Sequence, residues 1–145
     1  MGDVKLWGAD LSADFTATDR LTFSGAYSWV SKDFFEGALA GSGDLSTNAP
    51  RNKALASARY REISRDASVE LRGRYVQGFR MVDGVWNGRV KSFAVADLEA
   101  GAGIPSVPGA RFTLTVQNVA NSRHSEFVEA PILGRLVLGR VQYRF

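Results

Sequence analysis

Hydrophobic and polar residues alternate in the last stretch of this chain, GRLVLGRVQYRF, at residues 134–145. Val141 and Tyr143 have one parity, and Arg140 and Arg144 have the other. Successive side chains of a β-strand point to opposite faces of the sheet. The pattern therefore predicts a strand with one apolar face and one face that carries arginines.

The same alternation occurs in six earlier segments. The seven predicted strands span residues 4–15, 21–30, 51–61, 67–77, 90–102, 110–119 and 134–145. Charges inside these segments fall almost entirely on one parity, and the exceptions, Lys5 and Arg135, adjoin the longer links. Phe93 and Val95 are hydrophobic exceptions on the charged parity. Repeated alternation of this kind predicts an all-β chain that runs as an up-and-down antiparallel meander.

The links between the predicted strands alternate in length. Short links follow the first, third and fifth strands, and long links follow the second, fourth and sixth. The long links, at residues 31–50, 78–88 and 120–134, are rich in glycine and small polar residues, and we interpret them as loops. No proline falls inside a predicted strand, as ladder hydrogen bonding requires. An antiparallel meander with these links has all its long loops at one end.

Composition leaves two classes of β-protein open. The chain has 145 residues, 45% of them hydrophobic and 23% charged, with a net charge of +3. No dense Lys/Arg block occurs, so nucleic-acid binding is not expected. The absence of cysteine excludes disulfides and thiolate metal sites within the chain. The start of the chain lacks a signal-peptide pattern, and no stretch reaches the roughly 18 apolar residues of a membrane helix.

The two classes are a soluble β-sandwich or lipocalin-like barrel, and the wall of an outer-membrane barrel. Membrane barrels have short turns at one end and long loops at the other, as this chain does. Its apolar parity contains many alanines, which bury little area in a soluble core. Aromatic residues lie near the strand ends, as in the girdles of membrane barrels. These aromatic residues are Trp7, Phe15, Trp29, Tyr60, Tyr75, Tyr143 and Phe145. The pattern therefore favours the membrane barrel.

Three motifs resemble the barrel of TonB-dependent outer-membrane receptors. The stretch LTVQNVANSRHSEFVEAPILGRLVLGRVQYRF looks like the last hairpin of that family, with its terminal phenylalanine. The matching positions are Val116, Asn118, Val119, Phe127, Pro131, Gly134 and Arg135. NAPRNKALASARYR (48–61) resembles a strand entry of the family, and DLSADFTATDRLTFSGAYSWV (10–30) resembles one of its hairpins.

The resemblance implies that residues 1–145 are the C-terminal seven-strand segment of a transmembrane antiparallel β-barrel of about 22 strands. The plug domain, the segment that contacts TonB and the signal peptide are expected to be absent. The expected partners are outer-membrane lipid, the TonB complex through the missing plug, and the barrel assembly machinery through the last strand. The alternative is a small barrel that stands alone, which needs an even number of strands in bacterial single-chain examples.

Candidate ligand-binding residues lie on the long links, because the resemblance implies that these loops capture the substrate. They are Phe34, Phe35, Arg80, Trp86, Arg123 and His124. Loop packing is the simpler interpretation of the aromatic residues. For His124, the only histidine, ligand or metal contact is one hypothesis, and an exposed, solvated imidazole is the simpler one.

Candidate lumen or plug-facing residues have the charged parity, and they are Arg59, Arg72, Arg74, Asp97 and Glu99. The paired carboxylates Asp97 and Glu99 could serve in acid–base chemistry, but ion pairs with arginines of neighbouring strands are the favoured interpretation. Val141, Tyr143 and Phe145 match the assembly signal of outer-membrane barrels. No catalytic residues, no metal site and no cofactor are expected.

The sequence thus predicts part of a receptor that, when intact, takes up a scarce nutrient, such as a siderophore or another large ligand, across the outer membrane at the expense of TonB-coupled energy. Two alternatives stay open. One is a passive porin-like or structural outer-membrane barrel. The other is a soluble β-sandwich or lipocalin-like binding protein.

Overall fold

The seven longest strands form one continuous antiparallel sheet in a computed structural model that describes residues 4–39 and 43–145. The strands are β1 Gly8–Thr18, β2 Leu21–Val30, β3 Phe34–Leu39, β4 Gly43–Ser46, β5 Asn52–Glu62, β6 Ala67–Val76, β7 Phe79–Asp83, β8 Trp86–Val90, β9 Phe93–Gly103, β10 Ala110–Gln117 and β11 Leu136–Tyr143. The sheet order is β1-β2-β5-β6-β9-β10-β11, which is the predicted up-and-down meander. A short 3-10 helix at Ile63–Arg65 joins β5 to β6. Within the described ranges, no helix is long and apolar enough to cross a membrane.

All seven predicted strands are confirmed, with small changes at their ends. The first strand begins at Gly8 instead of Val4, because Gly8 pairs with Val30, the last residue of β2. The preceding Trp7 is instead held by Ser31, whose backbone N–H donates to the Trp7 carbonyl oxygen at 2.8 Å. The fifth predicted strand, β9, begins at Phe93 instead of Val90, because Val90 is the last residue of β8.

Two of the long links contain hairpins that the pattern did not predict. The strands β3 and β4 pair within the first long link, and β7 and β8 pair within the second. The interpretation of these links as plain loops is therefore wrong. The β7–β8 hairpin has a local signal, since Asp83 precedes Gly84, which has a positive φ of 57° as tight hairpin turns require. Residues 40–42, which belong to the first link, lie outside the described residues.

The register places apolar residues of all seven strands on one side, which we call the apolar face. One row across it reads Tyr27, Ala54, Tyr75, Ala94, so large and small side chains alternate. The large side chains on this face are exposed or half-buried, and no second sheet covers them in the described part of the chain. Leu71, for example, is 52% exposed in the middle of the sheet. An apolar face of this kind contradicts the closed core of a soluble sandwich.

The opposite side, which we call the charged face, carries most of the strand charges and also the better buried residues. Val76, Phe93 and Val95 form a buried hydrophobic cluster there. These residues explain the two hydrophobic exceptions in the alternation of the fifth predicted strand. They lie near the end of the sheet where the long links meet, which we call the long-link end.

At the other end, which we call the short-link end, side chains tie successive turns together. Arg20 donates to a Glu62 carboxylate oxygen at 2.7 Å. Arg111 of β10 reaches across β9 to Asp66, at 2.7 Å, and to the Ser68 hydroxyl, at 2.6 Å. Gly101 of β9 leaves the space for this crossing, since a Cβ there would lie 2.9 Å from the Arg111 guanidinium.

Gly109, the residue before β10, lies against Arg144 at the end of the last strand, β11. Its φ is 85°, and a Cβ on it would lie 2.5 Å from the carbonyl oxygen of Arg144. The Gly109 carbonyl oxygen also accepts a hydrogen bond from the Arg144 N–H at 2.9 Å, which extends the β10–β11 ladder. This position therefore requires both a left-handed backbone and the absence of a side chain.

We expect Gly109→Ala to lower the free energy of unfolding by at least about 1–2 kcal/mol, which is the strain of a left-handed alanine. The contact with the Arg144 carbonyl adds to this cost. Gly25→Ala is the matched control, because a Cβ there would meet only the Leu55 carbonyl oxygen, at 3.9 Å. The measurement is the midpoint of urea unfolding followed by circular dichroism. Equal midpoints for the two variants would show that Gly109 does not require its left-handed backbone.

Candidate functional site

The three long links contact one another at the long-link end and form what we call the loop cluster: the β3–β4 hairpin with Thr47 and Asn48, the β7–β8 hairpin, and the last loop, residues 118–135. Asn48 joins the two hairpins, because its side-chain amide donates to the Val82 carbonyl at 3.1 Å and its Oδ1 accepts from the Val82 N–H at 2.9 Å. The Ser46 hydroxyl donates to the Arg80 carbonyl at 2.6 Å. Side chains of the first long link thus bind the backbone of the second hairpin.

Phe34 and Arg80, two of the candidate ligand-binding residues, are neighbours in this cluster. The Arg80 guanidinium lies 4.3 Å from the centre of the Phe34 ring. It is also 4.0 Å from a carboxylate oxygen of Asp44. Phe35 lies apart from this pair, with the Lys32 ammonium 5.9 Å from its ring centre. A cation held over an aromatic ring presents both charge and apolar surface.

Trp86 has a packing role in the loop cluster. It packs with Val128 of the last loop against the buried residues Phe79, Met81 and Val90. Its ring also meets Phe127 edge-on, with 6.4 Å between the ring centres. The second hairpin and the last loop therefore share a small hydrophobic core.

His124 is not the exposed loop histidine that the sequence suggests. Its side chain is only 7% exposed, and its ring stacks on Phe93 of the charged face with 4.4 Å between ring centres. Nδ1 lies 2.9 Å from the Ser122 carbonyl oxygen, which favours the tautomer with the proton on Nδ1. Nε2 is buried and has no hydrogen-bond partner among the described residues. The adjacent Arg123 is exposed.

Glu126 holds the last loop to the seven-stranded sheet, which we call the wall. Its Oε1 accepts a hydrogen bond from Arg74 Nη2 at 2.6 Å and lies 3.4 Å from His124 Nε2. The Arg74 guanidinium also lies 5.4 Å from the centre of the Phe93 ring. Burial would raise the pKa of Glu126, but the hydrogen bond and positive charge of Arg74, with a contribution from His124, keep this pKa below its ordinary value. The carboxylate is therefore ionised at neutral pH.

The start of the last loop is fixed by Asp97, another of the candidate residues. Its Oδ1 accepts a hydrogen bond from the Asn118 N–H at 2.7 Å. The Asn118 amide in turn bonds the backbone of Ser122 in both directions at 2.8 Å. Asp97 thus binds loop backbone instead of the neighbouring arginine, contrary to the favoured interpretation.

A chain of ion pairs crosses the middle of the charged face. The register sets Glu70 directly opposite Glu99, and like charges in such a position repel. Arg72 separates them, with nitrogens 3.1 Å from Glu70 and 3.2 Å from Glu99. Arg59 adds a 2.5 Å contact to Glu70. Glu99 therefore pairs with an arginine of the neighbouring strand, as expected for a structural carboxylate.

This ion-pair chain borders a cavity of about 160 Å³. The cavity is lined by Arg59, Arg61, Ser68, Glu70 and Glu99. Because both carboxylates are already matched by arginines, the cavity offers a polar surface of balanced charge. Among the described residues, no group of three or more histidine, cysteine, aspartate or glutamate side chains is placed to hold a metal ion.

Comparison with known proteins agrees with this geometry. The family model for the TonB-dependent receptor-like β-barrel matches residues 1–121. The chain belongs to the TonB-dependent receptor β-barrel family. Barrels of these receptors lie in the outer membrane, so the meander is a section of an outer-membrane receptor barrel. No curated protein sequence matches the chain.

Solved receptor structures match nearly the whole chain. The FrpB iron transporter from Neisseria meningitidis (F5-1 variant) is 25% identical over 97% of this chain, with a TM-score of 0.69. Its F3-3 variant has the same identity and coverage and a TM-score of 0.70. The siderophore receptor PiuA from Acinetobacter baumannii shares the fold, with a TM-score of 0.65 at 14% identity over 94% of this chain. The chain spans 24% of FrpB and 22% of PiuA.

The loop cluster of this receptor depends on residues that the sequence did not single out. Asn48 connects the two hairpins, and Glu126 and Phe93 hold the last loop to the wall. Only Phe93 carried a signal in the sequence, as a hydrophobic residue on the charged parity. The contacts of Asn48 and Glu126 span 34 and 52 residues, so no local pattern indicates them.

We expect the last loop of the receptor to detach from the wall in acid. The folded pKa of Glu126 is lowered, so its contribution is complete above its unfolded pKa, about 4.3, and is lost as pH falls through the folded value. Fluorescence of Trp86, with Trp7 and Trp29 replaced by Phe, reports on the loop through Phe127. Glu126→Gln is expected to abolish this acid transition. A transition of unchanged amplitude in that variant would contradict the assignment.

Proposed function

We propose that residues 1–145 supply the closing seven strands of a larger TonB-dependent receptor, which takes up an iron complex or another scarce nutrient across the outer membrane. The family match over residues 1–121 carries this proposal. The plug and the remaining strands would come from outside this chain. TonB would act through the plug, so residues 1–145 would contribute wall, lumen lining and binding loops.

Two further observations support an iron complex as the cargo. FrpB, at 25% identity, is described as an iron transporter. The loop cluster also presents Arg80 beside Phe34, a pairing suited to a large ligand that has both negative charge and flat apolar surface. In this proposal Phe34, Phe35, Arg80 and Arg123 are the ligand-facing residues of the loops. Trp86 holds the loops in position, and His124 faces Glu126 at the charged face.

The charged face supplies the lumen side of the wall. Arg59, Arg72, Arg74, Asp97 and Glu99 all lie on it, and their proposed role is to line the lumen or contact the plug. The last strand carries the proposed assembly signal. Val141 and Tyr143 are exposed on the apolar face of β11, and Phe145 follows beyond the strand end.

A passive porin-like barrel is the remaining alternative. A plug-domain sequence encoded directly before this chain would decide against it. Loop packing also disfavours an open pore, because the last loop turns inward onto the charged face through His124 and Glu126.

We expect cells that depend on the full-length receptor to accumulate a ⁵⁵Fe-labelled iron chelate only when TonB is intact. Arg80→Ala is expected to reduce uptake about tenfold at low ligand concentration, because the loss of one cation–π and ionic contact is worth roughly 1–2 kcal/mol. Ile63→Ala is the control, because Ile63 is exposed at the opposite, short-link end. Uptake that persists without TonB would reject the proposal in favour of the passive barrel.

The membrane placement of the apolar face is tested by two matched substitutions. Leu71 on the apolar face and Leu55 on the charged face are 52% and 51% exposed on adjacent strands. We expect Leu71→Arg to destabilise the barrel by roughly 2–4 kcal/mol, because a charge at mid-membrane depth must leave water. Leu55→Arg faces the polar interior and is expected to cost much less. Urea unfolding in phospholipid vesicles measures both, and equal losses would show that the faces are wrongly assigned.

A further inference from the structure

Arg74 and His124 converge on one carboxylate at the long-link end of the charged face. Arg74 Nη2 lies 2.6 Å and His124 Nε2 lies 3.4 Å from the same oxygen of Glu126. Arg74 belongs to the wall strand β6, whereas His124 and Glu126 both belong to the last loop. The carboxylate therefore bridges an arginine of the wall and a histidine of its own loop.

We propose that Arg74 and His124 form a binding site for an anionic oxygen group of the transported ligand, and that Glu126 occupies this site until the ligand displaces it. Displacement frees the part of the last loop that follows His124, while His124 itself stays stacked on Phe93 of the wall. The proposal rests on the proposed function, because it requires a ligand that enters between the loops and the charged face.

Arg74 and His124 have a support that does not depend on Glu126. Phe93 stacks on the His124 ring and also lies beneath the Arg74 guanidinium, so both groups have a rigid support on β9. The Nδ1 proton of His124 is engaged by the Ser122 carbonyl, which leaves Nε2 facing the carboxylate. Nε2 donates to this carboxylate, or to an anion that replaces it, when the imidazole carries both protons. The atom is buried and lies 3.4 Å from Glu126, so an incoming anion can form a shorter hydrogen bond with it.

The hold of Glu126 is weak enough to be displaced. Both side chains of the Arg74–Glu126 pair are 40% exposed, so water screens the pair. Their hydrogen bond uses one guanidinium nitrogen, Nη2 of Arg74. A free carboxylate or phosphate that meets the guanidinium edge-on makes two. An incoming anion can therefore form one more hydrogen bond with Arg74 than Glu126 does.

Release of Glu126 also affects the β7–β8 hairpin of the loop cluster. The last loop contributes Val128 and Phe127 to the contacts of Trp86. Once Glu126 is released, these contacts and the stacking of His124 on Phe93 hold the middle of the loop, so a shift of the loop is transmitted to the second hairpin. Ligand arrival at the wall is thereby coupled to the position of two of the three loops.

The test uses the full-length receptor in detergent, with a nitroxide spin label on Ile132→Cys. Ile132 is exposed on the last loop, and this chain has no cysteine of its own. Citrate and inorganic phosphate are titrated at constant ionic strength, with chloride as the reference anion. We expect citrate, phosphate or both to increase label mobility in the otherwise unchanged receptor, and the two arms distinguish carboxylate from phosphate recognition.

Three variants separate the site from general charge effects. Glu126→Gln is expected to show a mobile label without added anion and to bind the effective anion about tenfold more tightly, because the internal competitor is gone. Arg74→Gln is expected to lose anion binding. Glu129→Gln removes the same charge from an exposed position on the same loop and is expected to behave like the unchanged receptor.

Unchanged anion affinity in Glu126→Gln, or undiminished binding in Arg74→Gln, would overturn the proposal. The failure of both anions to move the label would also overturn it. These outcomes are independent of transport. A receptor that shows the displacement but fails to accumulate iron rejects the proposed cargo, whereas accumulation without displacement rejects this site alone.

Discussion

The register between antiparallel strands is the constraint on which the rest of this structure depends. Side chains alternate with period two, so a slip of one residue in any strand would carry its charges to the apolar face. The register from β1 to β11 keeps Leu11, Tyr27, Leu71 and Val141 on one side and the arginines on the other. In an outer membrane, a slipped strand would place two or three charges in hydrocarbon at a cost of several kcal/mol. The membrane therefore enforces the same pairing that the backbone ladder builds.

That register has a consequence on the charged face, because it fixes which charges become neighbours. It sets Glu70 against Glu99, and the resulting repulsion is relieved only because Arg72 lies two residues further along the same strand. Arg74 lies two residues beyond Arg72, toward the long-link end. Its neighbours on the adjacent strands are Leu55 and Val95, so neither of them offers an acidic partner. The last loop supplies the missing charge with Glu126. The strand register thus determines where the last loop is held, because it leaves Arg74 available to bind Glu126.

The seven wall strands could be predicted from the sequence because hydrophobic and polar residues alternate within each of them. The limits of β2, Leu21–Val30, follow from alternation alone. The hairpins in the long links are too short to establish a period, although Asp83–Gly84 marked one of them. The site could not be predicted, because its contacts join residues far apart in the chain. His124 illustrates this limit: only the fold shows that Phe93 lies under its ring.

The wall and the loops are held by interactions of different strength, and this difference decides what can move. Each wall strand shares a continuous hydrogen-bonded ladder with its neighbours, so it can leave only when many bonds break together. The last loop is held by separate contacts, each worth on the order of 1 kcal/mol. They include the half-exposed ion pair of Glu126, the stacked rings of His124 and Phe93, the hydrogen bond from Asn118 to Asp97, and the packing of Phe127 and Val128 with Trp86. Such contacts can be exchanged one at a time for contacts with a ligand. The loops of this receptor can therefore rearrange on an unchanged barrel wall.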